Sequence, residues 1–424
     1  MFTGAPLCLN VSFSFRQSWS LIACMLGSLM SVSMLAATEF EIEFKPRDFE
    51  SPNAIASFEC PPSIWNPELL SRDISVPVQL GLDGLLYVQM DDLESPFERQ
   101  FRLRNRASDP VSRLRVWVEH HGGEFTFQDN AGPLIRYQGA PSELPRDGID
   151  PVFRRGGYLH PLWTPSGRIV SDDYPENHLH HHGVWVSWTK TEFDSRQPNF
   201  WEMGNRKGTV EFVAVDHYWG GAVFGGLRAR HRYVDLTLSE SVVVLSETWN
   251  VKVYASPSGQ KAFHLVDLHF VQQCATDKPV KFPKYRYGGL GFRGRGEWDG
   301  AKNASFMTAS GETDRIKGHA TRAAWCSIGG MIDRQKVGLA ILCHPSNFRA
   351  PQPMRLHPSE PFFCYAPAQL GDWAIKPGMP YESRYRFVIF DGEPNPELLN
   401  QIWQDYAHPI EVTVKPIVAF KTDK

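Results

Sequence analysis

Little in this chain of 424 residues points to a charged partner: 44 lysines and arginines against 47 aspartates and glutamates leave a formal charge of −3 with histidine neutral. That balance excludes a basic footprint for nucleic acid and a polybasic membrane patch. Cysteine is scarce. The five that follow residue 37 (Cys60, Cys274, Cys326, Cys343 and Cys364) are odd in number and lack C-x-x-C spacing, which argues against a dense disulfide framework or a zinc ribbon. After residue 37 no apolar run is long enough to cross a bilayer. No βαβ alternation is present, so a doubly wound fold is excluded, and there is no internal repeat or low-complexity tract. The glycines of Gly288-Gly289-Leu290-Gly291-Phe292-Arg293-Gly294 are followed neither by Gly-Lys-Ser/Thr nor by a helix, which excludes a phosphate loop.

What is present is a core-forming, turn-rich composition. Twenty-seven Phe, 13 Trp and 13 Tyr can fill a large interior, and 34 Gly with 32 Pro favour many turns and a β-rich fold. Residues 1–37 read as a targeting segment: Arg16 is the only charge before Glu39, and Trp19 to Ala37 is apolar apart from four serines. The pattern predicts export with cleavage near Ala36 or Ala37; the alternative is an uncleaved single-pass anchor. Residues 38–122 read as a small β module, with strand-like runs at 74–78, 85–88, 101–104 and 114–118. From Gly122-Gly123 a second region runs to about residue 410, and 411–424 form a C-terminal tail. In that region Asp129-Asn130-Ala131-Gly132 marks a hairpin, and strands are expected at 184–188, 210–215, 231–238, 241–254, 262–274, 337–343 and 381–390. One helix is predicted, Pro396 to Ala407. Asn395 caps it, Pro396 suits its first turn, and Leu399, Ile402, Trp403 and Tyr406 share a face.

The densest polar constellation joins Tyr158-Leu159-His160-Pro161 to the run from Asp172 through His178-Leu179-His180-His181-His182-Gly183. Twelve residues of connection carrying this much imidazole and carboxylate suggest a functional loop. If 178–182 is extended, His178, His180 and His182 face one way and His181 the other. Such imidazoles, with His160 or Asp172, suit general acid–base chemistry near neutrality. A divalent metal is a weaker expectation, because H-x-H-H lacks a third spaced ligand.

Strand parity supplies a second signal. Glu247 falls on the apolar face with Val243, Leu245, Trp249 and Val251, and a three-residue hairpin loop at Ser256–Gln260 sets Glu247 opposite His269. A carboxylate on an apolar face needs a partner, so a Glu247–His269 contact is expected. Glycines within a strand permit close approach of a ligand or of another backbone, which makes Arg293 a candidate for holding a hydroxyl or carboxylate, with Tyr287 beside it. His344 ends a buried strand, with Asn347 three residues on. Among the tryptophans near these segments, Trp185 and Trp325 are candidates for stacking on sugar rings.

The runs Gly157-Tyr158-Leu159-His160-Pro161-Leu162, Asp172-Asp173-Tyr174-Pro175 and His178-Leu179-His180-His181-His182-Gly183 resemble a bacterial family labelled "methane oxygenase PmoA". The similarity continues through Phe224–Ala229, Glu247, Gly288–Arg293, His344-Pro345 and Tyr385–Gly392, covering roughly residues 123 to 410. His182 stands where an arginine is common and Leu179 where a proline is common. The resemblance implies exported, carbohydrate-related proteins whose large β domain is similar to the galactose mutarotase supersandwich, and it attaches no reaction.

The expectation is therefore an exported all-β protein, a small N-terminal β module followed by a galactose-mutarotase-like β-supersandwich with one C-terminal helix. Its function is expected to be proton transfer on a saccharide or sugar acid, of epimerase, lyase or hydrolase type. The candidate catalytic set is His160, Asp172, His178, His180, His181, Glu247, His269 and His344. The candidate binding set is Tyr158, Trp185, Tyr287, Arg293, Trp325 and Asn347. No cofactor is assigned beyond a divalent metal at the histidines, and the partner is a carbohydrate or other small molecule rather than nucleic acid or membrane. The alternatives are a metal-dependent oxygenase or hydrolase using the same histidines and a non-catalytic carbohydrate-binding or surface protein.

Overall fold

Period-two alternation over long strands builds two eight-stranded antiparallel sheets. In a computed structural model the described residues are 38–45, 54–93, 100–107, 114–139, 143–256 and 263–417. Residues 1–37, for which a targeting segment is expected, lie outside them. Among the described residues no helix is long and apolar enough to cross a membrane.

The first large sheet runs Met354–Leu356, Phe362–Tyr365, Gly289–Arg293, Val184–Ser187, Tyr158–Leu162, Gly132–Gln138, Glu124–Asp129, Trp117–His121. The second runs Gly208–Trp219, Phe224–Asp235, Val242–Tyr254, Phe263–Cys274, Tyr381–Asp391, Gln335–Cys343, Trp325–Ile332, Ala304–Thr308. Leu159, Val184, Val186, Leu290 and Phe292 of the first meet Ala229, Trp249, Leu268 and Phe270 of the second in one continuous core. The expected large β-sandwich is thus what the chain forms. The far face of the second sheet is also apolar in its middle: Phe224, Leu265, Trp325, Leu342 and Val388 lie under the helix Pro396–Ala407, which buries Leu399 and Ile402 there. That helix has the expected bounds, and the Asn395 side chain accepts from Leu398 N at 3.0 Å. Trp325 is a core residue whose indole N–H donates to Asn400 at 2.8 Å, so it is not placed to bind substrate.

The N-terminal module has a five-stranded and a three-stranded sheet around Ile42, Phe44, Leu69, Leu86, Val88 and Leu103. Two boundaries differ from expectation. Val412–Pro416 is a strand paired with Glu39–Phe44, so the segment after 410 returns to the module instead of forming a tail. Trp117–His121 is the edge strand of the first large sheet, so the module ends before it. All five cysteines after residue 37 are free thiols.

Register decides the fate of Glu247. The ladder pairs Trp249 with Phe270 and ends at Val253 opposite Val266, so the connection is longer than a three-residue hairpin loop. The resulting offset of three residues is odd, which moves His269 to the opposite face of the sheet. Glu247 instead lies between the two sheets, 2% exposed. Its Oε2 accepts from His231 Nδ1 at 2.8 Å, and its Oε1 accepts from Gln272 Nε2 at 2.6 Å and from the Tyr233 hydroxyl at 3.2 Å. His231 Nε2 meets the Tyr137 hydroxyl at 2.7 Å, and Trp188 Nε1 donates to Gln272 at 2.8 Å, which carries the network across to the first sheet. This closed network without solvent access ties the sheets together. Glu247→Ala leaves His231 Nδ1 without a partner in the core and takes one acceptor each from Gln272 Nε2 and the Tyr233 hydroxyl, and a loss of at least about 3 kcal/mol is expected in denaturant unfolding; a change within about 0.5 kcal/mol would contradict the role.

Candidate active site

The outer face of the first sheet, turned away from the second, carries the histidines. Residues 178–182 are not extended. His181 N donates to the His178 carbonyl at 2.8 Å, closing a turn. The turn stacks the His178 and His181 rings with centroids 4.6 Å apart, and His180 meets His181 edge-on at 4.8 Å. The expected alignment of His178, His180 and His182 on one face is therefore replaced by a His178–His181 pair.

Beneath the pair lies an aromatic floor. His181 stacks on Phe362 at 4.7 Å and tilts against Trp185 at 5.1 Å, and Trp185 packs on Trp201 at 4.9 Å. Gly291 makes room for that floor, since a Cβ there would sit 2.9 Å from the Trp201 ring and 3.1 Å from the Trp185 ring. The close approach anticipated at these glycines is thus made by indoles. Tyr287 stands edge-on to Trp201 at 5.6 Å and donates its hydroxyl to Glu202.

One wall is polar and comes from a distant hairpin. The turn between Met354–Leu356 and Phe362–Tyr365 carries His357 and Glu360, and His357 Nδ1 accepts from Glu360 N at 3.0 Å. Glu360 Oε2 accepts from Arg293 Nη1 at 2.7 Å and lies 3.2 Å from His178 Nδ1. Arg293, 0% exposed, also donates to Asp299 at 2.8 Å and to Asn177 at 3.2 Å. Because a guanidinium does not deprotonate, the two carboxylates are what make its burial tolerable. One nitrogen of His178, one of His181 and one carboxylate oxygen of Glu360 all lie within 4.8 Å of one another, so these three residues could hold a metal ion. Burial holds the imidazoles neutral: His180 and His357 fall to about 4, and His181 falls well below its usual value.

A second buried unit adjoins the first. Asp173 accepts from His182 Nδ1 at 2.6 Å and from the Tyr158 hydroxyl at 2.8 Å, and Tyr158 stacks on His182 at 4.4 Å. Burial raises the Asp173 carboxyl to about 7. His160 Nδ1 bonds Ser171 Oγ at 2.9 Å. Asp172 is half-buried, its carboxyl raised by burial against the pull of Arg293 and Arg295. Gly183 lets the strand after the cluster lie close to Tyr158–Leu162, because a Cβ there would overlap the Leu159 carbonyl oxygen.

The structure thus brings together His178, His180, His181, Arg293, Trp185 and Tyr287, with Tyr158, His160 and Asp172 adjoining. It separates the rest. His269 and His344 line a cavity of about 500 Å³ on the far face of the second sheet, with Lys252, Arg384 and Tyr406. There His269 pairs with Glu382 at 2.8 Å, and His344 Nδ1 bonds Ser346 at 2.7 Å. Asn347 bonds both the backbone N–H and the carbonyl of Arg384 and so anchors a loop. Sequence reasoning noted Asp173, His182 and Trp201 without selecting them as site residues, and it missed Glu202, His357 and Glu360. For the last two a signal existed in His357-Pro358-Ser359-Glu360-Pro361, a proline-bounded turn carrying an acid and an imidazole.

A family described as "Family of unknown function (DUF6807)" matches residues 125–404, well over half of the chain. The chain belongs to the DUF6807 family. The matched range contains the whole histidine site and both large sheets apart from the strand Trp117–His121 and Glu124. No curated protein matches this DUF6807 chain. Among solved structures, the heparan sulfate lyase HepC from Pedobacter heparinus is similar with a TM-score of 0.29 and 10% identity, over 69% of this chain and 38% of that one. The chain therefore spans well under half the length of that lyase, and a likeness this slight says nothing about activity.

His160 yields a pH prediction. Burial lowers it from 6.5 to about 4, against the opposing pull of Asp173 and with His182, Arg295 and Arg136 adding to the lowering. The unfolded chain takes up this proton near pH 6.5 and the folded chain only near 4. Stability is therefore complete above 6.5 and is lost as pH falls towards 4, by on the order of 3 kcal/mol. Urea unfolding at pH 7 and 4.5 should show a smaller acid loss for His160→Asn than for the parent; an equal loss would contradict the assignment.

Proposed function

We propose that the outer face of the first sheet binds an acidic saccharide and moves a proton on it. The observation that carries this reading is the packing of four imidazoles (His178, His180, His181 and His357) and the Glu360 carboxylate on a floor of Trp185, Trp201 and Phe362. Trp185, Trp201 and Phe362 are 0%, 1% and 4% exposed, so they support the imidazoles from below, and a pyranose ring would lay its C–H face on the partly exposed rings of Tyr287, His178 and His180. Imidazole with carboxylate supplies donors and acceptors for general acid–base catalysis. The rim favours a negative ligand. Arg355 is half-buried beside Glu360 and Tyr287, Arg286 lies over the Tyr287 ring at 5.4 Å, and neither forms an ion pair with a carboxylate among the described residues. A sugar carboxylate would supply the missing charge, which Arg can engage bidentately. His180 and His357 stand at the partly exposed edge and are the groups for proton transfer.

The test is a panel of neutral and uronate-bearing glycans scored for binding by calorimetry and for product by NMR. Turnover of a uronate-bearing member is expected, with His180→Ala lowering the rate at least about 100-fold. Arg355→Ala should weaken uronate binding and leave neutral glycans unaffected. Binding without turnover, unchanged in His180→Ala and His357→Ala, would favour a carbohydrate-binding module. Absence of both would overturn the reading.

A further inference from the structure

We propose that His178, His181 and Glu360 bind one divalent transition-metal ion of the zinc type. The inference deepens the reading of this face as a working site and rests on it only for what the ion would do there. Two imidazoles and one carboxylate form the three-ligand composition of catalytic zinc sites rather than the closed four-ligand set of structural ones.

Three observations meet at this place. The first is proximity: ligand atoms from a turn at 178–181 and from a hairpin far along the chain lie within 4.8 Å of one another. The second is the state of the nitrogens. The Nδ1 of His181, a residue only 4% exposed, is buried with no hydrogen-bond partner among the described residues, and His178 Nδ1 faces only Glu360 Oε2, at 3.2 Å. A buried polar atom without a partner is costly and needs a reason, and an ion between the two rings and Glu360 supplies one. The third is charge. Arg293 holds Glu360 from behind, and Asp299 pairs with Arg293, so these three groups sum to one negative charge facing the imidazoles, with Arg355 of the rim a nearby cation that has no ion pair among the described residues. Arg293, Asp299 and Asn177 then orient the carboxylate as outer partners orient metal ligands.

Ligand atoms on one zinc ion lie roughly 3–4 Å apart, given bond lengths of about 2.0–2.2 Å, so the group must contract. The stacked rings cannot both direct a nitrogen in-plane at one ion, and ligation requires His178 to turn about its Cβ–Cγ bond. Its side chain is 32% exposed, and the Glu360 oxygen 3.2 Å from its Nδ1 is itself one of the three ligands, so it can turn without losing a partner outside the group.

The experiment uses the untagged full chain, stripped with chelator and titrated with Zn²⁺ and with Co²⁺. One ion per chain is expected by calorimetry and elemental analysis, and Co²⁺ should give visible d–d absorption. His178→Ala and Glu360→Gln should each weaken binding at least about tenfold. His178→Ala removes a partly exposed ring and keeps the test valid if the more buried changes fail to fold, and circular dichroism checks its folding. No stoichiometric ion, or binding unchanged in folded His178→Ala, overturns the proposal. An ion bound by the site with no glycan recognised would sink the saccharide reading and leave this one standing. Full glycan turnover by stripped protein that takes up no ion would do the reverse.

Discussion

The buried guanidinium of Arg293 is the constraint on which the site depends. It ends the strand Gly289–Arg293 with no solvent exposure, and it cannot shed its charge. It must therefore draw acids and acceptors to itself, and it draws them from three separate places: Glu360 from the hairpin turn, Asp299 from the segment after its own strand, and Asn177 from the loop ahead of the histidines. Those contacts bring the 172–183 loop and the 357–361 turn over the same patch of sheet. The aromatic floor sets the depth of the patch, and Arg293 sets which polar groups meet on it.

A sandwich of two sheets has three kinds of place for a polar group, and the polar residues of this chain occupy all three. Between the sheets, Glu247, His231, Tyr233 and Gln272 satisfy one another and hold the layers together. On the far face of the second sheet, His269, Arg384 and Glu382 lie beside the N-terminal module and the C-terminal helix. On the outer face of the first sheet, the imidazoles stay half-open over tryptophan. This last arrangement sets several ionisable groups in contact over an apolar footing with part of the imidazole surface open, a combination expected of a working site.

Much of the fold is legible along the chain because its signals are local. The Asp129–Gly132 turn, the long alternating strands and the capped helix from Pro396 each follow from a few neighbouring residues. Register is not local in this sense. An odd offset in the pairing of Val242–Tyr254 with Phe263–Cys274 is enough to move Glu247 away from His269, and nothing in either strand fixes it when the connection is long. The histidine run is legible as a cluster and not as a geometry. Alternation sorts side chains only in an extended segment, and the 178–181 turn brings together residues three apart. The turn that carries Glu360 has a local signal, but its pairing with Arg293 does not, because Arg293 lies in a different strand and only the folded sheet makes them neighbours.

The measurement closest to the centre of this account is a double-mutant cycle between Arg293 and Glu360. Unfolding free energies of the parent, Arg293→Met, Glu360→Gln and the double variant isolate the coupling between the two groups. The account predicts a favourable coupling of at least about 1 kcal/mol, with the double variant less destabilised than the sum of the singles because no charge is left unpaired between them. Additivity within about 0.3 kcal/mol would mean that Arg293 does not hold Glu360 to the imidazoles, and the site as described would not exist.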